Sequence, residues 1–258
     1  MRAIWLISKT VLIESVRRKE IYVVVLAASL MIGMVMMMDF FNLQGLTKFY
    51  REVALKVTSI ATALTVLVLA TRQLPREFER RTIYPLLAKP VSRLAFLAGK
   101  LLGVMMAAGL CIALFMGVYV AGALYLGSPI PVPLFLQYIY LQMITMLILT
   151  TLGFWLSMIL NIDAAISLGV LLFITGETLT AITTYIFDIV GDAQKLVLIM
   201  LTYGVPQLTL LDLSEKAVHA ASWSPVGFGT IIRLTAYGLT FAIFYFTMAA
   251  LAFRRKPL

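Results

Sequence analysis

Two places in the chain combine residue types that could do chemistry. The first is Glu177, an ionisable side chain inside a long apolar run. Thr180 and Thr184 follow it at three and seven residues, so on a helix all three share a face. A lone carboxylate inside a bilayer costs about 3 kcal/mol or more. It is retained where it carries a proton, meets a polar group of a cargo in a water-filled pathway, or hydrogen-bonds a neighbouring helix. The functional and the structural readings both stand at this point. The second place is "REFERRTIYPLLAKPVSR", residues 76–93, a dense charged patch between two long apolar runs, punctuated by Pro85 and Pro90.

Other reactive residues offer less. Met31, Met34, Met36, Met37 and Met38 are soft thioethers of the kind that bind copper, but neighbouring methionines on a helix point in different directions, and lipid and packing contacts explain them better. The single histidine, His219, has no cysteine or acid beside it at ligand spacing, so no metal site is expected. Cys111 is the only cysteine, which excludes an internal disulfide. No nucleophile stands near a base, and an embedded enzyme therefore has no support. Gly99-Lys100 lacks the upstream glycine and the following Ser or Thr of a phosphate-binding loop.

What must position these residues follows from composition. Hydrophobic residues make up 62% of the 258 and charged residues 13%, against about 25% charged in a soluble domain. The apolar runs are long enough for helices of about 20 residues across a bilayer. The chain is expected to be an all-α integral membrane protein, a single transmembrane domain over residues 1–258, with six spans. They run over about Ile21–Phe41, Val53–Thr71, Leu94–Leu126, Val132–Leu160, Asp163–Phe187 and Arg233–Phe253. A seventh apolar segment, Leu196–Leu211, is interrupted by Gly204, Pro206 and Gln207 and is too short to cross; an outer loop over 188–225 with an interfacial or re-entrant helix is expected there.

Charge placement supports this count. With both termini cytoplasmic, the inner segments hold 15 of the 21 Lys and Arg, giving +10 inside, zero outside and −1 within the membrane. That is the positive-inside pattern. It also accounts for the basicity of the chain without invoking nucleic acid. Residues 1–20 place Ile4, Trp5, Ser8, Val11, Leu12, Ser15 and Val16 on a charge-free side, which suits a helix lying on the inner surface with Trp5 as its anchor. No cleavable leader is expected, because Lys9 interrupts the first apolar stretch.

The inner loop over residues 72–93 is then the only large cytoplasmic feature. Pro75 suits the first turn of a short helix, with Glu77 and Glu79 near its positive end. Pro85 should end or kink that helix, and Ser92 is a plausible N-cap for the third span. Gly99, Gly103 and Ala107 form a stripe of small residues that permits close helix approach.

The run "PREFERRTIYPLLAKPVSRLAFLAGKLLG" resembles the signature of ABC-2 type permeases, the membrane subunits of one large class of ATP-binding-cassette transporters. The matching positions are Glu77, Thr82, Leu86, Leu87, Lys89, Pro90, Val91, Ser92, Arg93, Gly99 and Lys100; Arg81 stands where the family usually has glycine, and Pro85 interrupts what is commonly one short helix. "VPQLTLLDL" before the last span is similar to the family's outer segment. The resemblance implies that the elbow docks on a separate ATP-binding subunit through Glu77, Glu79, Arg80, Arg81, Thr82, Leu86, Leu87 and Lys89. It implies a non-catalytic chain without a cofactor of its own, ATP and magnesium being bound by that partner. It further implies a second permease subunit, identical or related, and residence in a prokaryotic cell membrane among its lipids. Glu177, Thr180 and Thr184 are the candidate pathway residues. Two rival readings are a proton- or ion-coupled carrier working through Glu177 and an ATP-driven complex that transmits force without moving cargo.

Overall fold

The computed structural model describes residues 2–17, 20–37, 46–79, 92–127, 130–187, 189, 191–218 and 224–255. These form helices α1 (Arg2–Arg17), α2 (Glu20–Met37), α3 (Leu46–Glu79), α4 (Arg93–Tyr125), α5 (Val132–Ile159), α6 (Ile162–Ile186), α7 (Asp192–Gly204), α8 (Ser214–Val218) and α9 (Phe228–Arg255), with a 3-10 turn at Leu208–Leu211. No strand occurs among the described residues.

Four of these helices, α3, α4, α5 and α9, are long and apolar enough to cross a membrane. α2 and α6 carry the shorter apolar stretches Val24–Met34 and Ile162–Gly176. The protein is therefore a multi-pass membrane protein. Helices α4, α5 and α6 begin and end within one residue of the limits read from hydropathy, because the change from apolar to polar side chains marks where lipid ends. α3 is longer than expected: its 34 residues extend about 51 Å, some 20 Å more than the hydrocarbon core.

Pro75 corrects the sequence reading. It does not open a new helix but lies inside α3, which continues to Glu79. A proline there removes one backbone hydrogen bond and crowds the preceding turn. Tertiary burial holds the helix together on both sides of it, with Leu74 fully buried, Gln73 nearly so, and Phe78 against Phe253.

Helix α5 is the centre of the bundle, between α3 and α9. Tyr138 donates to the Leu55 carbonyl at 3.0 Å, Gln142 bonds Ser59 at 3.1 Å, and Gly153 faces Ala70. Each pair is 83 residues apart, so α3 and α5 run in the same direction and in register. α4 opposes them, with Lys100 beside Glu77 near one end and Tyr119 against Tyr50 near the other. This agrees with a chain that crosses once between each neighbouring pair of spans. Gly127, with φ at +62°, turns the chain after α4 in a conformation that a side chain would strain.

Helix α1 also departs from expectation. It runs alongside α4 in the same direction, with Ile7 over Gly99 and Val11 over Gly103. An added methyl at either glycine would come within 2.9 Å of Ile7 or 2.5 Å of Val11. The small-residue edge lets the two backbones approach, and Ile7, Ser8, Val11 and Ser15 are buried by it. Trp5, Leu6 and Ile13 remain exposed on the other side.

Candidate functional site

Two clusters, at opposite ends of α3, contain most of the polar chemistry. The first lies at the base of the elbow. Glu77 is in the last turn of α3, where the negative end of the helix dipole disfavours an acid. Lys100, two turns into α4, offsets this at 2.5 Å and also donates to Gln73 Oε1 at 3.1 Å. The lysine is almost wholly buried, and its ammonium lies 5.7 Å from the centre of the Phe96 ring. A charge this buried is stable only when paired and hydrogen-bonded, and both conditions are met.

The same base is tied to the end of the chain. Arg93 donates to the carbonyls of Phe253 and Arg254 at 3.2 and 3.0 Å, capping the C-terminal end of α9 with a cation. Phe253 stacks on Phe96 and meets Phe78 edge-on, with ring centres 6.0 and 5.8 Å apart. Ser92 caps α4 as the sequence suggests, its hydroxyl accepting from Ala95 N at 3.2 Å. With α1 on Gly99, four helices meet at this junction: α1, α3, α4 and α9.

Of the residues expected to face a partner, Glu77 points inward to Lys100, while Glu79 is exposed at the end of α3. Arg80, Arg81, Thr82, Leu86, Leu87 and Lys89 lie outside the described residues, as does the elbow that contains them. His219 lies outside them too. Glu177, Thr180 and Thr184 lie in the C-terminal half of α6, and their side chains are outside what the structure describes.

The second cluster is at the opposite end. Residues 205–218 fold back onto the bundle, burying Leu208, Leu211, Leu213, Ala217 and Val218. Gly176 of α6 makes room for them: an added methyl would lie 2.7 Å from the Pro206 carbonyl. Lys56 of α3 pairs with Asp212 at 2.6 Å, and the same carboxylate accepts from Ser214 N and Oγ at 2.8 and 3.0 Å. Arg51 reaches the Val218 carbonyl at 3.3 Å, and Tyr237 accepts from Gln207 N at 2.8 Å. The seventh apolar segment thus ends as a short helix, α7, followed by a latched flap. Gly204 and Pro206 stop it, as their chemistry suggests.

Sequence reasoning did not find these pairings. Lys56 reads as one residue of the expected span Val53–Thr71 and Lys100 as one member of a motif. For Glu77 and Lys100 the available signal was charge sign, since each stands within about two turns of the loop joining their helices; Lys56 and Asp212, 156 residues apart, offered none. Among the described residues, no three His, Cys, Asp or Glu side chains are grouped to hold a metal.

A protein-family model described as ABC-2 family transporter protein matches residues 7–253. A comparison with curated proteins found no match.

Proposed function

The chain belongs to the ABC-2 family of transporter proteins and is a permease of an ABC transporter, and from that premise we propose that it couples ATP hydrolysis by a separate ATP-binding subunit to export of a substrate. In this reading two membrane subunits, identical or related, work together in a prokaryotic cell membrane. Six helices cross, both termini are cytoplasmic, and the elbow over residues 80–91 docks on the ATP-binding subunit.

The observation that carries this reading is the buried base: Glu77, Gln73 and Lys100 join α3 to α4, and Arg93 joins α4 to the end of α9. Both ends of the elbow are therefore attached to a stiff junction, not to independent helices. A push on the elbow is passed to packed helices, which slide or rock as units. α3 also carries Lys56, 21 residues from Glu77, or about 32 Å along one helix. Movement at the base reaches the outer flap through a single element, and release of Lys56 from Asp212 opens that side.

Co-purification and vesicle transport test the proposal. Leu86→Asp with Leu87→Asp is expected to abolish association with the ATP-binding subunit while leaving membrane insertion intact. Lys100→Met is expected to retain association yet lose transport driven by ATP. Normal ATP-driven transport in both variants would overturn the coupling role. Orientation is checked in intact cells of a Cys111→Ser background. Asp192→Cys should react with an impermeant thiol reagent, and Arg255→Cys should react only after permeabilisation. The reverse pattern would invert the topology.

A further inference from the structure

Between the first turns of α5 and α9 lies an open groove of about 650 Å³, within the range of about 300–1,000 Å³ in which small ligands are held. Leu136, Gln137 and Tyr140 form one wall; Phe228, Ile232 and Leu239 are prominent on the other. Its polar groups are already engaged. The Gln137 amide clamps the Val226 backbone at 2.9 and 3.0 Å, and Tyr140 shares a hydrogen bond of 3.1 Å with Thr235, whose hydroxyl donates to Ile231 O. The walls thus offer a ligand mainly carbon.

Among the described residues, one exposed cation stands on α9 a helical turn from the groove-lining Ala236. Arg233 is exposed on α9, one residue from Ile232 and three from Ala236, both of which line the groove. It takes part in no ion pair or hydrogen bond among the described residues, whereas the basic residues of the two clusters are bonded. Its depth is informative. Counting about 20 residues for one crossing back from Phe253, the inner end of α9, places Arg233 where hydrocarbon meets headgroups. From there Ala236 and Leu239 continue toward the middle of the bilayer.

We propose that this groove is a binding site for an anionic phospholipid, one acyl chain lying along Ala236 and Leu239 and the phosphate paired with Arg233. The chemistry is complementary at both ends: apolar walls for the chain, and a guanidinium without a partner among the described residues, suited to a phosphate, at headgroup depth. Assignment to the outer leaflet rests on the orientation proposed above; the pairing of chain and headgroup with these residues does not.

Native mass spectrometry of the protein from micelles holding equal phosphatidylglycerol and phosphatidylcholine of matched chain length tests the site. The wild type is expected to retain one lipid per chain, with phosphatidylglycerol favoured about fivefold, the contribution of one basic residue at a lipid surface. Arg233→Gln should retain lipid but bring that preference to about one. Ala236→Trp, and independently Leu136→Trp on the opposite wall, should remove the retained lipid of both kinds without lowering the melting temperature. The site is overturned if the wild type shows no preference, if Arg233→Gln keeps it, or if both tryptophan variants still hold lipid. A disulfide between two copies carrying Leu239→Cys and Cys111→Ser would assign the groove to a second chain instead.

Discussion

The two ion pairs of α3 bind its two ends in different ways. At the elbow, Lys100 and Glu77 have side chains only 5% and 18% exposed, with Gln73, Phe96 and the Phe253 cluster around them. At the flap, Lys56 is 40% exposed and Asp212 12%. Burial makes the inner pair costly to separate, since neither charge can return to water without opening the junction. The Lys56–Asp212 pair is less enclosed on the lysine side and is the easier of the two to separate. In the proposed cycle one end of α3 transmits and the other lets go.

The largest expected effect comes from breaking the inner pair on one side. Lys100→Ala leaves the largely buried Glu77 without its cation, and should cost about 3–5 kcal/mol, read as a fall in melting temperature. Replacing both residues, Glu77→Leu with Lys100→Leu, should recover most of that loss, because two apolar groups need no partners. A double variant as unstable as the single one would show that the ion pair is not what joins α3 to α4.

Next comes the seat of α1. Gly103→Ala places a methyl 2.5 Å from Val11 Cβ, so α1 must shift away from α4, at a cost of about 1–3 kcal/mol. Gly117→Ala on the same helix meets nothing within 4 Å and should be neutral or slightly stabilising, by less than about 1 kcal/mol. Equal melting temperatures for the two variants would remove α1 from the base.

The smallest effect on stability is expected at the Lys56–Asp212 pair. Lys56→Gln should change stability by no more than about 1 kcal/mol, while altering ATP-driven transport. The same substitution sharpens the contrast with the elbow: wild-type transport in Lys56→Gln would make the latch a surface ion pair and nothing more. A stability loss as large as that of Lys100→Ala would erase the difference between the two ends.

Much of the architecture was legible before any coordinates. The limits of α4, α5 and α6, the N-cap at Ser92 and the failure of the seventh segment at Gly204 and Pro206 are all local consequences of side-chain type. Lipid demands about 20 apolar residues per crossing, and caps and breakers act within one turn. The family signature likewise pointed to the elbow and to Glu77 and Lys100. It did not say that these two residues meet each other.

Amino-acid order alone determined that this is a helical membrane protein, where α4, α5 and α6 begin and end, and where its charge is concentrated, because hydropathy and the positive-inside bias are sums over neighbouring residues. Only the tertiary structure decided that α3 runs through Pro75, that α1 follows Gly99 and Gly103 along α4, and that Lys56 and Lys100 have acids waiting for them. Those outcomes depend on which residues distant in sequence become neighbours. Burial then sets what each contact is worth: the same pairing of lysine and acid is harder to separate at Lys100 than at Lys56, whose side chain is less enclosed.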